Sequence, residues 1–255
     1  MQACKYCGRV KTLVKSHIIP RSFYEIKSFK QKAPDKSLPL PSDSENEKPM
    51  KRSSGIYDEE LFCKDCEDKF MIYDDYAFKI LHEQGSQRKA LRDDKGQELG
   101  AYYETYEYNK LKLFFMSVLL RAGLSGVFFF KHVKVGPSIK LLKDAIEAGT
   151  APDANDFAVF LAYNDDINKG PVMFPPAKIR IERIKFYHFH IGQVISYIKV
   201  DRRDTPNDLQ PIILKPTGKL FLMKFNMKDA NAYDTLKSIV NDPTNEKYFS
   251  GGDRL

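Results

Sequence analysis

Residues 4–20 read Cys4-Lys5-Tyr6-Cys7-Gly8-Arg9-Val10-Lys11-Thr12-Leu13-Val14-Lys15-Ser16-His17-Ile18-Ile19-Pro20, and residues 61–66 read Leu61-Phe62-Cys63-Lys64-Asp65-Cys66. The two Cys-x-x-Cys pairs hold all four cysteines of a 255-residue chain. Each pair can supply two thiolates from one tight turn, so the two together make a tetrahedral zinc site. Gly8 relieves the backbone where the first pair turns. Such a site would tie the N-terminus to the second pair and enclose His17 in the loop that the metal closes.

Other uses of the cysteines fit less well. Disulfide-built domains are short and cysteine-dense, and this chain is neither. A redox Cys-x-x-Cys would accompany a βαβ pattern, which is absent. No apolar run follows the charges of Met1–Val10, so no secretory leader is expected. The longest apolar run, Leu113–Leu120 with Ser117 inside it, falls far short of the ~20 residues that span a bilayer. The expected location is the cytoplasm, with no membrane partner, and an apolar fraction of 42% is enough for a core.

Charge is unevenly spread. The chain carries +7, and residues 1–32 alone hold eight Lys or Arg (Lys5, Arg9, Lys11, Lys15, Arg21, Lys27, Lys30, Lys32) against Glu25, which is also +7. A basic segment around a zinc knuckle suits a polyanion such as nucleic acid, and Lys11, Lys15 and Arg21 are the expected contacts. The plain alternative is a solvated face that aids solubility. Tyr57–Asp75 is the reverse, with eight acidic residues against Lys64 and Lys69. It can neutralise part of the basic segment or offer carboxylates to a metal.

Two units are expected. Residues 1–85 form a zinc-binding unit: the knuckle, a short strand at Leu13–Val14, a helix opened by Pro20 with Phe23, Tyr24 and Ile26 packing, and a helix after Cys66. That second helix carries Glu67, Phe70, Met71, Asp74, Phe78 and Leu81 at helical spacing. Residues 30–55, with Pro34, Pro39, Pro41 and Pro49 among polar neighbours, read as a flexible insertion. Residues 86–100 read as a polar connection. Residues 100–255 form an α+β unit, with helices within 104–149 and a β-rich region over 156–226. Glu104–Ala122 is apolar on most sides and should be buried, with Gly123 ending it. Gly136-Pro137 opens the next helix and Gly149 stops it. Strands are expected at Phe157–Tyr163, at Lys178–Ile184 and within Phe186–Val200 around a turn at Gly192. Ile212–Lys215 and Leu220–Phe225 flank Pro216-Thr217-Gly218-Lys219 as a hairpin, and a helix follows from Asp229. The fold class is α+β, with a zinc-stabilised N-terminal unit, a helical middle and an antiparallel β-rich C-terminal part.

His17 is the sharpest candidate for chemistry. A histidine held on a strand beside a zinc site is placed to take a proton from water attacking a phosphodiester. The whole pattern, Cys-x-x-Cys, then His17-Ile18-Ile19-Pro20, then Leu61-Phe62-Cys63-Lys64-Asp65-Cys66, resembles the four-cysteine HNH endonucleases of the ββα-metal, treble-clef-like type. The resemblance covers roughly residues 1–80. It implies structural zinc on Cys4, Cys7, Cys63 and Cys66, His17 as general base, and a catalytic Mg2+ or Mn2+ at Ser16 and Glu67. The family usually carries Asp or His at the first of those positions and His or Asn at the second. Serine can hold a metal-bound water, and Glu67 is a good hard ligand. Asp65, Asp68 and Asp74 are close enough in sequence to help. The family's central asparagine has no clear match, since Asn46 is the only asparagine in the expanded loop.

The activity implied is metal-dependent hydrolysis of phosphodiester bonds in DNA rather than RNA. A small basic nuclease with an unrelated partner region resembles the effectors of bacterial anti-phage defence. The departures at Ser16 and Glu67 support a second reading: a zinc-scaffolded nucleic-acid-binding or protein-interaction module that has lost catalysis. In either case residues 100–255 would supply target selection or a surface for a protein partner.

The remaining ionisable residues read as structural. His188 and His190 share one strand face at a metal-ligand spacing, but two histidines on a half-exposed sheet are the commoner case. His82 reads as a surface residue, and His132 has no evident partner. Arg121 and Lys131, which flank an apolar stretch, read as charges marking the ends of buried elements rather than as phosphate contacts.

Overall fold

The structure, a computed structural model, describes residues 2–24, 38–40, 50–52, 55–164, 174–225 and 232–249. The knuckle is a small hairpin in which Gln2–Ala3 (β1) pairs antiparallel with Val10–Lys11 (β2). Gly8, at φ +73°, makes the turn, a left-handed conformation that glycine adopts without steric cost. Leu13–His17 (β3) follows, and the chain then passes Pro20 into a single 3-10 turn at Arg21–Tyr24. Phe23 of that turn is buried, stacked on Phe114 and edge-on to Phe78. Ile26, Asn46 and most of the 30–55 insertion lie outside the described residues. Within the insertion, Leu38–Leu40 (β4) pairs antiparallel with Met50–Arg52 (β5).

Tyr57–Cys63 (β6) returns antiparallel to β3 and leads directly into the helix Lys64–Leu81 (α1). The helix opens at Lys64 with Cys63 as its N-cap, so Cys66 and Glu67 lie in its first turn. Asp65 and Glu67 at that end complement the helix dipole. Phe70, Tyr73, Ala77, Ile80 and Leu81 are the buried apolar positions, whereas Met71, expected on the same face, is exposed.

The large sheet has seven strands: Lys89–Arg92 (β7), Glu98–Tyr103 (β8), Val159–Asn164 (β9), Ala177–Ile181 (β10), Ile184–Ile191 (β11), Val194–Lys199 (β12) and Leu220–Phe225 (β13). Their order is β10-β11-β12-β9-β13-β8-β7, antiparallel throughout except for β13 beside β9. The molecule is therefore α+β with an antiparallel-rich sheet and a four-cysteine cluster near its N-terminus.

The structure departs from the sequence expectations at three places. Residues 86–100 form the β7–β8 hairpin, turned by Asp93, whose Oδ1 accepts from the Lys95 and Gln97 amides. Charged edge-strand residues hid the alternation. Lys178–Ile184 is not one strand, because the chain reverses at Glu182-Arg183, both at positive φ, between β10 and β11. Ile212–Lys215 does not pair with Leu220–Phe225 either. Leu220 and Leu222 face one buried cluster and Phe221 and Met223 the other, so β13 is a central strand.

One face of the sheet carries the first three helices. Tyr108–Leu124 (α2) is buried from Leu111 through Ala122, and Ser138–Ala148 (α3) ends at Gly149 in the left-handed conformation, φ +62°. Leu111, Phe114, Phe115 and Leu119 of α2 share a cluster with Ile18, Phe62 and Phe70 of the first segment and with Tyr187 and Phe189 of β11. The opposite face packs under Leu209, Ile212, Ile213 and the helix Ala232–Asn241 (α4), which the short helix Glu246–Phe249 (α5) follows.

Candidate functional site

The two cysteine pairs meet where the knuckle abuts the start of α1. The Lys5 amide donates to the Leu61 carbonyl at 2.9 Å, which joins the first turn to β6. Within the knuckle, the Gly8 amide donates to the Cys4 carbonyl at 2.8 Å and the Cys4 amide to the Arg9 carbonyl at 3.0 Å. The ligand atoms of Cys4, Cys7, Cys63 and Cys66 all lie within 4.8 Å of one another, with Cys7 Sγ and Cys63 Sγ 4.0 Å apart. A tetrahedral zinc with ~2.3 Å Zn–S bonds needs sulfurs about 3.8 Å apart, so these residues fit the ion.

Local charge favours a cation at the cluster. Burial pushes the Cys4 thiol up, but the amides of Cys7, Cys63 and Tyr6 bring it down to about 7. Burial and the three neighbouring thiols push Cys66 upward. A cation at the centre relieves that crowding of sulfur charge.

Beside the cluster lies a second set of polar groups. Between Val14↔Phe62 and Ser16↔Asp58, β3 advances two residues while β6 advances four. Such a bulge bends the strand and re-aims side chains. Ser16 is fully buried there, with Oγ 3.4 Å from the Val14 carbonyl. His17 is half-buried, edge-on to Tyr57 at 5.7 Å. The Glu67 carboxylate faces the Ser16 hydroxyl and the His17 backbone amide. Burial pushes its pKa above the usual carboxylate value, and Arg121, Ser16 and the His17 amide oppose that rise. Glu67 Oε2 is buried and, among the described residues, has no hydrogen-bond partner. A buried carboxylate oxygen left open is costly unless a proton or a cation satisfies it.

Arg121 ties the set together. From α2 its guanidinium uses all five N–H groups: Nε to the Ser117 carbonyl (3.3 Å), Nη1 to the His17 carbonyl (3.0 Å) and Asp74 Oδ2 (2.9 Å), Nη2 to Asp74 Oδ1 (2.7 Å) and Ser117 Oγ (3.0 Å). It also lies over the Phe70 ring at 5.0 Å. Burial raises the Asp74 carboxyl, opposed by the charge and hydrogen bonds of Arg121. Arg121 is therefore a clamp between β3, α1 and α2, not an end marker. Its sequence signal is a guanidinium inside the most apolar helix of the chain.

The other carboxylates near in sequence are engaged elsewhere. Asp65 pairs with Lys11, Asp68 with Lys64, and Asp74 with Arg121. Asp58 accepts from Ser125 Oγ (2.9 Å) and the Gly126 amide (2.8 Å), joining β6 to the end of α2. Lys15 lies 3.6 Å from Glu59 and over the Tyr57 ring. The acidic segment thus meets the basic one at Lys11 and Lys15. Arg21 opens the 3-10 turn.

The remaining histidines are apart from this site. His82 caps α1 sixteen residues past Cys66, about 24 Å along the helix. His188 and His190 are 5.5 Å apart on β11, and burial lowers both, His190 to about 4. The four cysteines form the only cluster of three or more potential ligands among the described residues. No protein-family model, curated protein or solved structure matches the chain. No helix among the described residues is long and apolar enough to cross a membrane.

Proposed function

We propose that the chain is an HNH-type, metal-dependent endonuclease acting on DNA, with β3, β6 and α1 as a zinc-stabilised ββα-metal unit. The observation that carries this reading is the orphaned Glu67 Oε2 beside Ser16 and His17, one residue past the last cysteine. A divalent cation bound there would stabilise the charge that develops on the phosphoryl and leaving oxygens. Glu67 would hold it as a hard oxygen ligand, and the buried Ser16 would orient Glu67. His17 would take the proton of the attacking water at an imidazole nitrogen as the P–O bond breaks. Arg121, through the His17 carbonyl and Asp74, would keep that strand segment in place. Lys11, Lys15 and Arg21 would lie along the DNA backbone.

The test is cleavage of plasmid DNA by the zinc-loaded protein with Mg2+ or Mn2+. His17→Ala should abolish cleavage and leave the zinc content unchanged. Intact plasmid with either metal would rule the reading out. Salt-dependent DNA binding by both proteins, with cleavage by neither, would instead identify a non-catalytic binding module. Ser16 favours that second reading, since its hydroxyl is a poor cation ligand and is fully buried.

A further inference from the structure

We propose that Lys134, Lys178, Arg180 and Lys185 form a docking surface for the phosphate backbone of duplex DNA, on the helix-side face of the β10 edge. Only the identity of the polyanion rests on the nuclease reading above. Strand alternation and register build the surface. Lys178 lies opposite Tyr187 and Arg180 opposite Lys185 across β10 and β11. Tyr187 belongs to the cluster beneath the helices, so all three cations stand on that face. The Tyr187 hydroxyl accepts from the Lys134 amide at 2.7 Å and donates to the His132 carbonyl at 3.0 Å, holding the 132–134 segment beside the same face. Lys178 Nζ lies 5.2 Å from the centre of the Tyr187 ring. All four cations are exposed.

The charges on this face are arranged against the interest of the fold alone. Like charges directly opposite in an antiparallel pair are destabilising, and Arg180 faces Lys185. The nearby acids are committed elsewhere: Glu182 pairs with Lys237, and Asp201 is held by Arg203 and the Lys185 amide. Among the described residues, none of the four cations makes an ion pair. Lys11 and Lys15, in the most basic stretch of sequence, do make them. The face is also within reach of the first site. Gly126 is bonded to Asp58 of β6, and the eight residues on to Lys134 span at most ~28 Å, about eight base pairs of duplex. Backbone contacts of this kind set position and affinity without reading sequence.

The test measures binding of a fluorescent mixed-sequence duplex by the full-length, zinc-loaded protein carrying His17→Ala, between about 50 and 200 mM salt. Replacing Lys178, Arg180 and Lys185 together by Gln should weaken binding about ten-fold or more and lower the salt slope by about 2–3. Lys64→Gln, Lys79→Gln and Lys140→Gln together remove the same net charge and should cost less than about three-fold. The charge-keeping pair Lys178→Arg and Lys185→Arg should retain wild-type affinity. Equal affinity and slope for the two Gln triples would overturn the proposal. So would a preference for duplex RNA or anionic vesicles over DNA, or no duplex bound at low salt. Binding lost in the patch triple while the wild type cuts nothing would support the surface and overturn the nuclease reading.

Discussion

Arg121 and Lys112 stand in the same apolar helix and pose opposite energetic problems. Arg121 is fully buried but has a partner for every N–H, including a bidentate carboxylate. Removing one member leaves the other charged and uncompensated. Arg121→Met should therefore cost about 3–5 kcal/mol in urea unfolding, while Arg121→Met combined with Asp74→Leu should cost much less. Lys112 is equally buried and, among the described residues, has a single hydrogen bond, 3.3 Å to the Ala154 carbonyl. Burial brings its ammonium down to about 7, against the pull of Asp156 and Asp153 and with a push from Lys199. Between about pH 7 and its ordinary range near 10.5, the unfolded chain binds a proton that the folded chain does not. Stability should thus rise with pH across that window, and the full cost, on the order of 5 kcal/mol, applies below it. Lys112→Met should remove this slope and stabilise the protein at pH 7 by about 2–4 kcal/mol. The wild-type-minus-variant difference, measured from pH 7 to 9, checks it.

Helix α3 shows how an element readable from sequence can have an unreadable role. Gly136-Pro137 and Gly149 mark its ends correctly, because turn chemistry is local. Its site of docking depends on partners far away in sequence. Lys143 Nζ donates to the Lys5 and Tyr6 carbonyls, both at 2.7 Å, and Lys69 reaches Glu147 from α1. The Tyr6 ring packs edge-on against Phe62 and Phe70, between these lysines. The downstream helix thereby braces the Cys4–Cys7 knuckle. Lys143→Ala should weaken zinc retention about five-fold in chelator competition, since two carbonyls lose a donor worth about 1 kcal/mol. The β7–β8 hairpin is the converse case. Its edge position tolerates Lys89 and Arg92, and those charges make the segment read as a connection.

At the scale of the whole molecule, one apolar cluster runs from Cys4 and Phe62 through α2 to the sheet. Loss of zinc should therefore be felt beyond the first segment. Chelation should speed amide exchange in α2 as well as in β3 and α1, and a fragment ending at residue 85 should not fold alone. Unchanged α2 protection after zinc removal would show that the two parts are energetically separate. The sequence by itself determined the four cysteines that cluster, the position of His17 and the main helices. Metal spacing, capping and helical periodicity are properties of a few neighbouring residues. Tertiary structure alone decided that Arg121 clamps His17 and Asp74, that β13 inserts between β8 and β9, and that four dispersed cations share one face. Those depend on which residues distant in sequence come together when apolar surface is buried, and that burial is non-directional and leaves no local mark.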